Sequence, residues 1–418
     1  MKRPCVTVVA AGSLATCPRM VKAADAFSEA GWHVRVVSAS NASWAAPFDA
    51  RLHARRRWRW EPIEFTRRAA PARWLVTGLR SRLADLAAHR LPGRRPWTVT
   101  VNAFSRVHAE LVAAIVSEPQ DLIYGGTTGA LAAVAEASRI SGIPCGIDFE
   151  DFHCGEGEPD EDGALHDELA AVIMADAAGQ AAFVTGGSAA IAAACESRFG
   201  IPVIPIHNVF ALPDGSAGDH ARGGIPRSRG PLRLYWFSQT IGPGRGIEDV
   251  VRAMGDKRLP GELHLRGQRA AGYIETLERQ AAVIAPELRL VVHAPSDPDG
   301  MIDACRSFDV GISTEQGPVR NHLLALSNKA LTYPLGGLAL VVTDTEGQRP
   351  LAADLGGQAV VYKPGDVEAL GEGLAAWASD PSAVARARAA SWEAARSRWH
   401  WEHPLERDAL LAAAERAA

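Results

Sequence analysis

The sequence predicts an α/β protein of two doubly wound domains, and three observations carry that expectation. Short apolar, β-branched segments alternate with helical patterns. A stretch rich in Gly, Pro, Ser and Asp, residues 211–231, interrupts the alternation, and a second series of the same kind begins directly after it. The first series opens at Cys5–Ala10, apolar and short enough for a buried parallel strand. A loop leads into the helical pattern Met20–Ala30, Gly31 stops it, and a strand at His33–Ser38 completes a βαβ unit. Further strands are expected at Asp121–Tyr124, Pro144–Asp148, Ala182–Thr185 and Val203–Ile206. The second series places strands at Leu232–Phe237, Glu262–Arg266, Leu288–Val292, Val310–Ser313, Leu338–Val342 and Ala359–Tyr362. Helical patterns fall at Ile247–Met254, Gly272–Ala285 and Asp299–Arg306, and the tail from Ala383 reads as one or two helices carrying Trp392, Trp399 and Trp401. Two such domains place a cleft between their carboxyl-end loops, where folds of this kind bind ligands.

Composition narrows the function. The 418 residues are 47% hydrophobic and 22% charged, which suits a soluble chain long enough for two domains. A formal charge of −4 argues against a general nucleic-acid binder. Six cysteines are scattered without a CxxC pair, a pattern expected of reduced thiols in the cytoplasm rather than disulfides or structural zinc. The basic N-terminus has too short an apolar stretch for a signal peptide, and no apolar run reaches the length of a membrane span.

Three segments carry candidate chemistry. Ser327-Asn328-Lys329 opens a short helix that Pro334 and Gly336-Gly337 break before a buried strand. A helix N-terminus offers free N–H groups and a positive dipole end, and the lysine adds a full charge, so the segment suits a phosphate. The stretch from Asp148 to Glu168 holds His153 and His166 among ten carboxylates. It reads as a solvated acidic loop or a divalent-metal site, although its spacing matches no ligand motif. Residues 51–97 hold thirteen arginines against Glu61, Glu64 and Asp85, with Trp58, Trp60, Trp74 and Trp97 interleaved. That mixture suits a solvated basic surface, an anionic lipid surface or a phosphate-bearing acceptor.

The order of these segments resembles the GT-B glycosyltransferases, in particular the retaining group called family 4. Pro18-Arg19 with AGWHVRVVS is similar to the opening βαβ unit of that family, and VTGGSAAIAAACESRFGIPVIPIHNVF to the end of its acceptor domain. LYWFSQTIGPGRGIEDVVRAM resembles the donor domain's first strand, glycine loop and helix; SNKALTYPLGGLALVVTD resembles the nucleotide-sugar segment. The resemblance implies two Rossmann-like domains facing a cleft: an acceptor domain at 1–210, a linker at 211–231, a nucleotide-sugar domain at 232–382, and helices at 383–418 packing back on the first domain. It implies transfer of a sugar from a nucleoside-diphosphate donor to an acceptor hydroxyl, without a cofactor or metal.

The same resemblance assigns residues. Cleavage of the sugar–phosphate bond leaves negative charge on a diphosphate, which needs fixed cations or helix N-termini. Arg245 and Lys329 are the candidate cations, with Ser327 and Asn328 beside them; Gly242, Gly244 and Gly246 allow close backbone approach. Gly12 and Ser13, at the exit of the first strand, are expected to leave room for donor or acceptor, with Gly12 counted toward the donor. His153 falls where the family places a histidine near the transferred sugar, to orient or deprotonate the acceptor hydroxyl. Many members carry two glutamates seven residues apart; here Leu324 and Thr332 stand at those positions, and Glu315 is the candidate substitute contact to a donor hydroxyl. A nucleotide-sugar epimerase, a pseudo-glycosyltransferase and a non-catalytic nucleotide-sugar binder stay open on the same fold. A dinucleotide oxidoreductase is disfavoured because the glycine loop is not spaced as that fingerprint. The acceptor is expected to be lipid-linked or a small molecule, with 51–97 touching the inner membrane face.

Overall fold

The computed structural model describes residues 3–40, 44–91, 93, 95–213, 230–296, 300–317 and 319–418. Most of the expected linker, 214–229, lies outside the described residues. The chain forms two compact units. One comprises Met1–His207, Val319–Asn321 and Pro404–Ala418; the other comprises Asn208–Pro318 and His322–His403.

The first unit holds seven strands: β1 (Cys5–Ala10), β2 (His33–Ser40), β3 (Arg59–Glu64), β4 (Leu122–Gly126), β5 (Cys145–Phe149), β6 (Phe183–Gly186) and β7 (Ile204–Pro205). They run parallel in the order β3-β2-β1-β4-β5-β6-β7. Helices cover both faces of such a sheet, so its central strands are apolar throughout; Val8 and Val9 are completely buried. The first helix, Pro18–Glu29, starts with Pro18 in its opening turn, buries Met20, Val21 and Phe27, and ends before Gly31, whose φ of +89° a side chain would resist. Sequence reasoning read 51–97 only as a basic segment and gave it no strand, yet β3 lies there. It is an edge strand, where Pro62 removes no ladder bond the sheet needs.

The second unit holds six strands: β8 (Leu232–Ile241), β9 (Gly261–Arg269), β10 (Leu288–His293), β11 (Val310–Ser313), β12 (Ala339–Thr343) and β13 (Val360–Tyr362). They are parallel in the order β10-β9-β8-β11-β12-β13, over a core that includes Trp236, Ile247, Val250, Leu265 and Val341. The helix after Ser327 runs through Pro334 to Leu335, because a proline in the last turn displaces little, and Gly337 at φ +71° makes the turn into β12.

The C-terminal region divides between the units. Helix Pro381–Ser397 lies in the second, where Arg388 Nε donates to the Gly337 carbonyl at 2.7 Å. Pro404–Ala418 joins the first, where the buried Glu406 accepts from the His207 backbone at 2.6 Å and lies 2.9 Å from His207 Nδ1. All six cysteines are unpaired.

Candidate active site

In a doubly wound sheet, ligands bind beyond the carboxyl ends of the strands where the strand order reverses. Each sheet has one such point, between β1 and β4 in the first and between β8 and β11 in the second. The sequence-derived candidates fall at these two places.

At the second-unit switch point, the loop after β8 carries Gly244, Arg245 and Gly246. Gly244 and Gly246 both have φ +73°, and a Cβ on Gly246 would come within 2.5 Å of the Thr314 carbonyl. The loop is pinned there, because Thr314 Oγ1 donates to the Arg245 carbonyl at 2.7 Å, while the Arg245 side chain is exposed. Glu315 follows β11 directly. Its Oε1 lies 2.7 Å from Lys329 Nζ, both side chains being about nine-tenths buried, and the ammonium also sits 5.6 Å from the Trp236 ring. Burial opposes ionisation of Glu315, but the charges of Lys329, Arg245 and His322 outweigh it and hold the carboxyl below its ordinary value. Ser327 caps the helix Asn328–Leu335, its hydroxyl accepting from Ala330 N–H at 3.4 Å and lying 2.9 Å from Ser313 Oγ. Asn328 Oδ1 accepts from Asn208 Nδ2 at 2.7 Å. Arg245, Glu315, Ser327, Asn328 and Lys329 therefore form one cluster with the glycine loop. Leu324 and Thr332 stand aside from this chemistry: Leu324 is buried, and Thr332 Oγ1 donates back to the Asn328 carbonyl at 2.7 Å.

At the first-unit switch point lies a cavity of about 880 Å³, lined by Gly12, Arg67, Arg68, Trp74, Arg106 and Thr128 among others. Gly12 was a sequence candidate, and Arg67, Arg68 and Trp74 belong to the basic segment 51–97 that suited a phosphate-bearing acceptor, whereas Arg106 and Thr128 went unread. The legible signal was Gly126-Thr127-Thr128-Gly129 at the end of a strand. Thr127 holds φ +71°, which few non-glycine residues adopt, and its Oγ1 accepts from Ala11 N–H at 2.9 Å. A Cβ on Gly12 would press on Cys17 Sγ at 3.2 Å, so glycine keeps this wall of the cavity open.

His153 connects to the cavity through Thr128. Its Nδ1 lies 3.1 Å from Thr128 Oγ1 and 3.0 Å from Glu156 Oε2, and its Nε2 is buried without a hydrogen-bond partner among the described residues. Burial disfavours the imidazolium, but the Glu156 contact and the charges of Asp151 and Glu150 raise the pKa above the ordinary histidine value. The Nδ1–H donates to the carboxylate, so Nε2 offers a second N–H in the imidazolium form, which the neighbouring carboxylates favour. Asn321 fixes the surrounding loop, accepting from Phe152 N–H at 2.9 Å and donating to Asp151 at 2.9 Å. Next in the chain, burial and the Asp151 charge push the Glu150 carboxyl up to about 7.

The acidic run 148–168 is divided among separate tasks. Asp148 takes a two-pronged ion pair from the buried Arg19 at 2.8 and 2.6 Å, and Asp160 caps helix Glu161–Gln180 by accepting from Gly163 N–H. Asp167 accepts from Gly157 N–H. His166 packs on Phe104 instead of joining His153. No group of three or more His, Cys, Asp or Glu side chains is arranged to hold a metal among the described residues.

No family model matches the chain, and no curated protein matches it. Solved structures do. Anabaena HepE in complex with UDP-glucose aligns with a TM-score of 0.66 at 16% identity, over 99% of this chain and 98% of that one. The UDP-forming α,α-trehalose-phosphate synthase of Burkholderia vietnamiensis aligns with 0.63 at 16% identity, over 99% and 100%. S. aureus TarM, in complex with UDP among other ligands, aligns with 0.68 at 9% identity, over 99% of both chains. With its two parallel sheets, the chain thus has the two-domain, Rossmann-like GT-B fold.

Proposed function

We propose that this chain is a glycosyltransferase that moves a sugar from a nucleoside-diphosphate donor to an acceptor hydroxyl, with retention at the anomeric carbon, as in the family 4 group it resembles. The observation that carries the reading is the collection of Arg245, Glu315, Ser327 and Lys329 beside a pinned glycine loop at the switch point of the second sheet. The solved relatives named above include proteins bound to UDP and UDP-glucose, which makes UDP the first donor nucleotide to test.

In this reading the bond between the sugar C1 and the diphosphate oxygen breaks, and its electron pair leaves with the diphosphate. Arg245, the N-terminus of helix Asn328–Leu335 and Lys329 offset that charge. The acceptor oxygen bonds to C1 and gives its proton to the departing diphosphate oxygen. Glu315, held ionised and oriented by Lys329, accepts a hydrogen bond from a donor hydroxyl in place of the glutamates missing at Leu324 and Thr332. In its imidazolium form, which the carboxylate neighbours favour, His153 is an orienting donor through Nε2. The first unit, with its cavity, takes the acceptor. Cytoplasmic placement, with peripheral contact through 51–97, belongs to the same reading and draws support from six unpaired thiols.

The test is release of nucleoside diphosphate from a panel of nucleotide sugars, with and without candidate acceptors. Acceptor-dependent release that falls in Arg245→Ala is the expected result. Release without acceptor, with formation of a free altered sugar, would instead favour the epimerase, and binding without release would favour the non-catalytic binder.

A further inference from the structure

Helix Pro71–Arg90 is built inside out. At about 100° per residue, Leu75, Val76, Leu79, Leu83 and Leu86 fall within an arc of about 100°. On a surface helix such a stripe normally faces the core. Here it faces outward: Leu75 is 62% exposed, Val76 60%, Leu79 57%, Leu83 58% and Leu86 51%. The buried face carries the small residues Thr77, Ala84 and Ala88. The orientation is locked from beneath, where Arg106 Nε donates to Thr77 Oγ1 at 2.9 Å and Arg80 pairs with Glu110 at 2.5 Å.

The charges around the stripe indicate what covers it. Arg82 borders it and Arg90 closes its C-terminal end; both are exposed and carry no ion pair among the described residues. Asp85, the one acid of this helix, lies off the stripe on Arg82's side, 3.7 Å from His89, which also reaches Asp162 at 3.1 Å. Five large apolar side chains rimmed by arginine match the interfacial plane of an anionic bilayer: leucines enter the acyl boundary and guanidinium groups meet headgroup phosphates. No single helix among the described residues is long and apolar enough to cross a membrane.

We infer that the exposed face of helix Pro71–Arg90 docks this protein on an anionic lipid bilayer. The inference deepens the acceptor half of the proposed function, because Trp74 of this helix and Arg67 and Arg68 of the loop before it also line the first-unit cavity. A lipid-borne acceptor would therefore reach the cavity from the docked side. The docking surface is narrower than the sequence expectation, in which the arginines and tryptophans of 51–97 together suited a lipid surface. Trp58 is buried with Nε1 on Asp25 at 2.7 Å, Trp60 Nε1 donates to Ser38 at 2.9 Å, and Trp97 Nε1 approaches Glu136 at 3.4 Å; all three indoles are committed inward. Arg56 and Arg59 are likewise held, by Asp25 and Glu118.

The test is co-sedimentation of the full chain with phosphatidylcholine vesicles, with and without phosphatidylglycerol, at low and high salt. It needs no turnover, so its failure is distinguishable from failure of the glycosyltransferase reading. Wild type is expected to pellet with the anionic vesicles. Arg82→Ser/Arg90→Ser should weaken that binding by about tenfold and flatten its salt dependence. Leu79→Glu/Leu83→Glu should abolish it while keeping the wild-type melting temperature, since both side chains are exposed. Absence of wild-type binding, or undiminished binding by the glutamate variant, would overturn the inference. So would a wild-type dimer that the glutamate variant converts to monomer in sedimentation velocity, which would assign the face to a second copy of the chain.

Discussion

Lys329 has two partners to satisfy: the buried Glu315 in the free protein, and a diphosphate in the proposed complex. Removing one member of a buried pair leaves the other charge without compensation, a loss of about 3–5 kcal/mol, whereas replacing both with neutral side chains costs far less. Lys329→Ala should therefore lower urea stability by about 3–5 kcal/mol. Glu315→Gln/Lys329→Met should recover most of it; equal loss in both proteins would show that the pair is not coupled. Two residues nearer the first-unit cavity set a pH dependence. The Glu150 carboxyl titrates at about 7 in the folded chain against an ordinary 4.5, so its protonated form stabilises the fold below about pH 4.5 and that contribution is lost as pH rises to about 7. The raised His153 pKa has the same sign: stability present in acid is lost as pH rises through it. Glu150→Gln should flatten thermal stability between about pH 4.5 and 7, gaining most over wild type at the alkaline end; parallel profiles would refute the assignment. Turnover should decline on the alkaline side as the His153 imidazolium deprotonates, and His153→Ala should remove that limb while costing about two to three orders of magnitude in rate.

At the scale of elements, the glycine loop after β8 is the most constrained feature of the proposed donor site. A Cβ at Gly246 meets the Thr314 carbonyl at 2.5 Å, and the backbone there is left-handed. Gly246→Ala should shift the loop that carries Arg245 and lower nucleoside-diphosphate affinity, while Gly244→Ala, with open space around its Cβ, should cost less; similar affinity in both variants would mean that the loop does not touch the ligand. This loop was legible in the sequence because glycines between an apolar strand and a helix have few other uses. Ser327 was legible for a similar reason, as a cap before a helix. The central strands were readable because both of their faces are covered. Edge strand β3 was not, since RWEPIE has neither an apolar run nor clean alternation, and its neighbour supplies the register. Helix Pro71–Arg90 shows a deeper limit. Its periodic leucines announce a helix, but periodicity cannot tell which side the stripe faces, and that depends on Thr77, Ala84 and Ala88 offering a flat surface beneath. The cavity was only partly legible: its walls come from loops distant in sequence, and Gly12, the basic segment 51–97 and the GGTTG turn were separate hints to it.

For the whole molecule, one architectural rule accounts for both candidate sites. Each sheet reverses strand order once, and the chemistry-bearing loops follow the strands on either side of that reversal. Composition and strand alternation were enough to predict two such units; the assignment of chain segments to them was finer than sequence could show, because residues 319–321 and 404–418 complete the first unit. Deleting 404–418 removes the buried Leu410, Ala413 and Glu406, which closes on His207. The first unit should then melt earlier while the second keeps its transition in calorimetry; a uniform shift of both would contradict the division. The claim of a nucleotide-sugar donor is tested most directly by isothermal titration of UDP and uridine into wild type and Arg245→Ala. UDP should bind wild type, with a loss of about 1.5–3 kcal/mol in the variant and a far smaller effect on uridine. Equal UDP affinity in the two proteins, or no nucleotide binding by the folded wild type, would contradict it.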